Sequence, residues 1–243
     1  MRLRLQVSTR ARELPWTEVL RPGRGLAYRW LAVGAPALGR QLHNSGWAPH
    51  GMVPFGHGAP VFDAADRRTG AYAVGGRGVV EFGSPLLAMV DAWAQVLAAR
   101  PMLDWGGVAF HVDGVEVVDP PEFASGVAVM RTTTPVVMKG SGQDGGGARV
   151  SRQAWVLPRE PEFDAYFVNN LRRKAETLGL DPAVGLERVT WVGPKRSFHA
   201  GKGLKVGAAV EVALRGAPET LRAVWSWGLG QANSAGFGWV SAA

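Results

Sequence analysis

Cysteine is absent from the 243 residues, which excludes disulfides, thiolate metal sites and cysteine nucleophiles. No apolar run approaches the length that spans a bilayer. The first residues, Met1 to Leu5, alternate charged and apolar side chains, which no secretory signal does. A soluble, cytoplasmic protein is therefore expected. Histidine is scarce: His43, His50, His57, His111 and His199 are the full set. The first three stand seven apart, but metal sites draw close pairs such as i, i+4 on one helix. A Gly/Pro-rich stretch intervenes here, so neither a metal nor a cofactor is expected. Metalloprotease H-E-x-x-H, hydrolase G-x-S-x-G and paired-carboxylate patterns are missing too.

What the chain does have is apolar content and positive charge. Hydrophobic residues make up 47%, enough to bury a core and to exclude a disordered chain. The length suits one large or two small domains. Lys and Arg number 27 against 20 Asp and Glu, a net charge of +7, which hints at a polyanionic partner. The cations concentrate. Arg188, Lys195, Arg196, Lys202, Lys205, Arg215 and Arg222 share one stretch with only Glu211 and Glu219 between the first and last of them.

The hydrophobic pattern gives the order of elements. Leu3, Leu5 and Val7 alternate with polar side chains, the period of a half-buried strand. A helical stripe runs through Leu31, Ala35, Leu38 and Leu42, kinked or split at Pro36. Residues 79–82 predict a strand, 86–100 an amphipathic helix, and 108–118 a hairpin turning at Asp113-Gly114. Strand, helix, strands, helix, strand is the ferredoxin-like order βαββαβ. Asp119-Pro120-Pro121-Glu122 marks a boundary, after which the order restarts. Strands near 123–131, 186–192 and 206–214 and helices at 160–178 and 218–227 follow, with a basic loop at 194–202. The expectation is an α+β fold of two tandem ferredoxin-like domains, residues 1–118 and 123–243.

The end of the chain, Gly228-Leu229-Gly230-Gln231-Ala232-Asn233-Ser234-Ala235-Gly236-Phe237-Gly238, is its most distinctive stretch. Glycines so spaced fit either a tight turn or a loop whose exposed N–H groups hold phosphate. It lacks the Lys-Ser/Thr of a P-loop and the downstream βαβ of a dinucleotide site. The run from Gly140 to Gly147 lacks them as well and reads as a mobile loop. His43, at the end of the first helical segment, suits a proton-transfer group, or else a cap on the last carbonyls. Tyr28 lies fifteen residues earlier. Ten tryptophans are enough to supply a base-stacking platform. None is assigned, since Trp47, Trp191 and Trp239 fit a core equally well.

Taken together, these residues resemble the repeat-processing endoribonucleases of CRISPR systems, the Cas-six family of the RAMP superfamily. The glycine-rich ending, with Gly228, Gly230, Asn233, Ser234, Gly236 and Gly238, is similar to that family's C-terminal signature. Leu42-His43 resembles its Leu-His, whose histidine is catalytic. Tyr28 stands where some members carry a catalytic tyrosine. Pro194-Lys195-Arg196 with Lys202 and Lys205 is similar to its RNA-binding hairpin. One position departs: Val53 stands where members often carry a lysine, which leaves His50 or His57 as a substitute third group, or none.

The resemblance implies metal-independent cleavage within the repeat of a CRISPR precursor transcript, releasing guide RNAs. RNA supplies its own nucleophile, the 2′-hydroxyl. The protein then needs only proton transfer and offset of charge on the phosphorane. Products with a 2′,3′-cyclic phosphate and a 5′-hydroxyl are expected. Repeat RNA is the implied partner, with effector-complex subunits and a homodimer as further candidates. The main alternative is a non-catalytic RAMP-type RNA-binding subunit of a CRISPR effector complex. An RRM is disfavoured by the lack of an aromatic RNP run. A metabolic enzyme holding a small anion at the glycine loop is the third reading.

Overall fold

The computed structural model describes residues 1–63, 71–140, 155–200 and 203–242. Lys202 and residues 141–147 of the second glycine-rich run therefore lie outside the described residues. The first sheet is built around β1 (Arg2–Thr9). After β1 come the helices α1 (Arg21–Gly34) and α2 (Pro36–Asn44), then β2 (Gly56–His57) and β3 (Gly76–Gly83). Helix α3 (Leu87–Ala99), β4 (Met102–Trp105) and β5 (Val108–Val118) complete the half. The strand order is β2-β3-β1-β5-β4, all neighbours antiparallel. Leu3, Leu5 and Val7 point into a core shared with Leu26, Trp30 and Leu31 of α1 and Trp93 of α3. The Trp93 indole N–H donates to the Ala27 carbonyl at 3.1 Å and ties the two helices together.

The expected turn at Asp113-Gly114 is not a turn. Val108–Val118 is a single strand in which Gln6 faces Gly114 and Val7 faces Val112, so Asp113 is the extra residue of a bulge. Its carboxylate accepts from His111 at 2.8 Å and from Ser8 at 3.2 Å. The hairpin turns instead at Gly106-Gly107, with φ of +64° and +90°. Asp-Gly serves a bulge as well as a turn, and the eight residues of β1 decide between them by pairing along the whole strand.

The second sheet repeats the order: β6 (Val127–Thr132), α4 (Phe163–Thr177), β7 (Gly185–Ala200), β8 (Gly203–Arg215), α5 (Pro218–Trp227) and β9 (Val240–Ala242). Its strand order is β7-β8-β6-β9. Phe163, Phe167 and Leu171 of α4 and Leu221 and Val224 of α5 pack on Met130, Val210, Val212 and Leu214 of the sheet. The two halves are thus two ferredoxin-like domains. The basic segment is part of a long hairpin and not a separate loop: Lys195 pairs with Ala208 and Arg196 with Gly207. Pro194, which has no N–H to give a ladder, sits where the register shifts between Val192 and Lys195.

Where the domains meet, Arg2 is the exception to the polar-out pattern of β1. It is 2% exposed, its guanidinium lying 3.5 Å from the Trp225 ring centroid and 4.0 Å from that of Trp239. It donates to the Trp225 carbonyl at 2.5 Å and faces Glu81 at 3.7 Å. Glu81 also accepts from the Trp239 indole at 3.0 Å. Burial pulls the Arg2 pKa down to about 9 while Glu81 holds it up. Among the described residues, no helix is long and apolar enough to cross a membrane.

Candidate active site and nucleic-acid interface

Pro36 sets the geometry around His43. Helix α1 stops at Gly34, Ala35 leaves the helical region at φ −149°, and α2 begins at Pro36, because proline both breaks the preceding helix and fits the first turn of the next. Gly39 lets α2 lie close on α1: a Cβ there would come 3.2 Å from the Leu31 Cβ. The chain doubles back, and His43 in the last turn of α2 meets Tyr28 edge to face, ring centroids 5.6 Å apart. Phe55 supports the Tyr28 ring, also at 5.6 Å. A shallow pocket of about 260 Å³ opens beside the pair, between Pro36, Gly39 and Arg40.

The His43 ring is exposed. The Tyr28 hydroxyl is 3.4 Å from the Leu42 carbonyl, too long to hold it firmly. Burial raises the Tyr28 pKa, and the charge of the Arg24 guanidinium, 5.6 Å from the ring centroid, works against that rise. The phenol is therefore un-ionised at neutral pH and free to donate. Arg24, one helical turn before Tyr28, is a site residue that motif reading missed. Its signal was the i, i+4 spacing on α1.

Arg24 also reaches electrostatically to the hairpin. Lys205 is half-buried, with its ammonium 5.3 Å from the Trp155 ring centroid. Its pKa is lowered first by burial, then by Lys139 and by Arg24. Lys195 and Arg196 are exposed on β7. Among the described residues, Arg24, Lys139, Lys195, Arg196 and Lys205 have no carboxylate within ion-pairing distance. Unneutralised like charges brought together make a field that favours a polyanion.

The glycine loop lies inside the molecule. Gly228, Gly230, Asn233, Ser234, Gly236 and Gly238 are all buried. Most of its N–H groups have acceptors inside the protein: Leu229 donates to the Gly238 carbonyl, Gln231 to Val137, Gly236 to Asn233 and Gly238 to Pro135. Of the two uses that its glycines allowed, this geometry matches a turn and leaves few N–H groups for phosphate. The positive φ of Gly238, +64°, and the carbonyl of Leu229 against it leave no space for a side chain.

His50 and His57, the two candidates for a third group, lie apart from Tyr28 in their bonding. His50 binds Glu176 of α4 at 2.5 Å across the domains. His57 is 0% exposed, wedged between Gly23 and Gly236, where added Cβ atoms would fall 2.4 and 2.7 Å from its ring. Its Nδ1 donates to the Gly58 carbonyl at 3.0 Å, and Nε2 has no partner. Burial lowers its pKa to about 4. Val53 packs against the first core and supplies no charge. Among the described residues, no three His, Asp or Glu side chains gather where they would hold a metal ion.

His57 gives a pH prediction. With a folded pKa near 4 and an ordinary value of 6.5, the unfolded chain binds more protons between those values. Stability is then full above pH 6.5 and falls as the pH drops toward 4, by on the order of 3 kcal/mol from this group. His57→Phe, which keeps the ring packing, is expected to flatten the acid limb of melting temperature against pH relative to wild type. Parallel acid limbs would remove His57 as the cause.

A family model described as CRISPR associated protein Cas6, C-terminal, matches residues 118–242. No curated protein sequence matches the chain. Among solved structures, one described as a RAMP protein binding different RNA substrates superposes with a TM-score of 0.82 at 15% identity, over 100% of this chain and 99% of that one. A Cas6-related protein of Pyrococcus furiosus gives 0.78 at 12% identity, over 100% and 98%. A Cas6 product complex gives 0.64 at 16%, over 100% and 98%. At these identities the likeness is one of fold.

Proposed function

The chain belongs to the Cas6 family of CRISPR-associated proteins, and on that premise we propose that it is an endoribonuclease that cuts CRISPR precursor RNA within the repeat. The observation that carries this reading is the Tyr28–His43 pair, held across the Pro36 break beside Arg24. The division of the chain at residues 119–122 into a domain bearing this pair and a domain bearing the hairpin is part of the proposal.

The reaction needs three things from the protein. The 2′-hydroxyl attacks phosphorus, the P–O5′ bond breaks, one proton leaves the 2′-oxygen and another reaches the 5′-oxygen. His43 carries one of those protons, its exposed imidazole being suited to transfer near neutral pH, and solvent water carries the other. Tyr28, un-ionised, donates to the 2′-oxygen or a phosphate oxygen and sets the line of attack. Arg24 offsets charge on the phosphorane, the part a lysine at position 53 would otherwise play. Lys195, Arg196, Lys202 and Lys205 grip phosphates of the repeat. No metal takes part in this scheme.

The test is incubation of the protein in excess EDTA with the repeat RNA of its own genome, beside a copy 2′-deoxy at the cut. Cleavage of the first alone, leaving a cyclic phosphate, is expected. Tight binding with neither RNA cut would support the second reading, a non-catalytic RNA-binding subunit, which Val53 favours. Substituting Lys195 and Arg196 together by alanine is expected to weaken binding and reduce the log–log salt slope by roughly 1 per cation. An unchanged slope would remove them from the interface.

A further inference from the structure

Trp16 is a large aromatic side chain left 40% exposed. It opens a short 3-10 turn, Trp16–Glu18, in the first domain. Its ring meets Tyr72 edge to face at 5.5 Å, so it is braced from behind. It tilts at 49° to Phe198 of β7, 6.4 Å away, across the gap between the domains. Phe198 is braced in turn by Phe237 of the glycine loop at 6.3 Å.

Between Trp16 and the hairpin lies a pocket of about 250 Å³, lined by Trp16, Thr17, Arg196, Ser197, Phe198 and His199. That is below the roughly 300–1,000 Å³ of ordinary ligand clefts and suits one planar ring system. Two aromatic rings and two hydroxyl-bearing side chains form its walls, with the exposed Arg196 guanidinium and the His199 ring at its rim. The pocket continues into the basic surface, since Phe198 faces Lys205 across the ladder and Lys205 feels the charge of Arg24. An apolar slot rimmed by cations matches a ligand that is a flat ring at one end and a phosphate at the other.

We propose that this pocket takes a single unpaired nucleobase of the bound RNA, stacked on Trp16, with Arg196 on the adjoining phosphate. The proposal rests on the reading of the ligand as repeat RNA and adds a base-stacking contact to it. A base seated here would anchor one unpaired nucleotide at a fixed distance from His43, adding a base contact to the phosphate contacts that position the strand.

The experiment is a binding scan of the full-length protein against its repeat RNA, with one abasic nucleotide moved along the sequence. Wild type is expected to lose about 5- to 150-fold in affinity at one position, the worth of one base–aromatic stack. In Trp16→Leu that position should cost nothing further, and Trp16→Phe should restore the penalty. Thr17→Trp blocks the pocket from its wall while leaving the Trp16–Tyr72 packing alone, and should erase the same penalty should the leucine variant fold poorly. A flat scan in wild type, or equal penalties in wild type and both pocket variants, overturns the pocket while leaving the RNA reading intact. Failure of wild type to bind repeat RNA at all overturns both.

Discussion

His43→Ala is expected to lower single-turnover cleavage by about 10²–10⁴-fold, the usual worth of a positioned general acid or base, with RNA affinity unchanged. The imidazole is exposed and packs on the Tyr28 ring at the surface, so its removal leaves no buried group stranded and no cavity in the core. A structural role would show instead as a lower melting temperature. The direction of the proton can be read from the same variant. A substrate with sulfur in place of the bridging 5′-oxygen has a leaving group that departs without protonation. If His43 is the acid, this substrate restores most of the lost rate in His43→Ala. If His43 is the base, the defect persists. Tyr28→Phe keeps the ring against His43, Phe55 and Arg24 but removes the hydroxyl. It should cost rate and little stability. Full activity in His43→Ala would end the assignment of the active site.

The order of elements was legible because it depends on local pattern. The alternation of Leu3, Leu5 and Val7 and the break at Pro36 act over a few residues, and the strands and helices they predict form. The misread segments are those in which a distant partner decides. Asp113-Gly114 fits a turn by local chemistry, yet β1 pairs along its whole length and makes it a bulge. The basic stretch around Lys195 contains Pro194 and Gly193 and reads as a loop, yet β8 holds it as strand. The environment of the candidate site was less legible still. Tyr28 and His43 could be named, but Trp16 gains meaning only from neighbours on other segments. His57 looked interchangeable with His50 and is instead sealed between Gly23 and Gly236.

That seal explains why substitutions in the glycine loop should reach the candidate site without touching RNA. Gly236 packs on His57, and His57 on Gly23, the residue before Arg24. The loop itself is held by Asn233, whose amide donates to the Leu229 and Phe237 carbonyls, both at 2.9 Å. Asn233 in turn accepts from Lys174 Nζ at 2.7 Å. Lys174 also donates to the Gly228 carbonyl, and its ammonium lies 5.0 Å from the Trp227 ring centroid. It is 1% exposed, and burial lowers its pKa well below the ordinary value. Asn233→Ala removes three of these bonds at once, leaving two buried carbonyls and a buried amine short of partners. At about 1–3 kcal/mol for each group left unsatisfied, a loss of roughly 4 kcal/mol is expected, a large part of the 5–15 kcal/mol that holds a domain folded. Lys174→Met removes the amine together with its desolvation cost and should lose less, about 2 kcal/mol. The double variant should lose less than the sum of the two, since both act on one network. Thermal and denaturant unfolding of the four proteins checks this. Strictly additive losses would show that Lys174 and Asn233 stabilise the loop independently. A melting temperature unmoved by Asn233→Ala would show that the glycines alone set its shape.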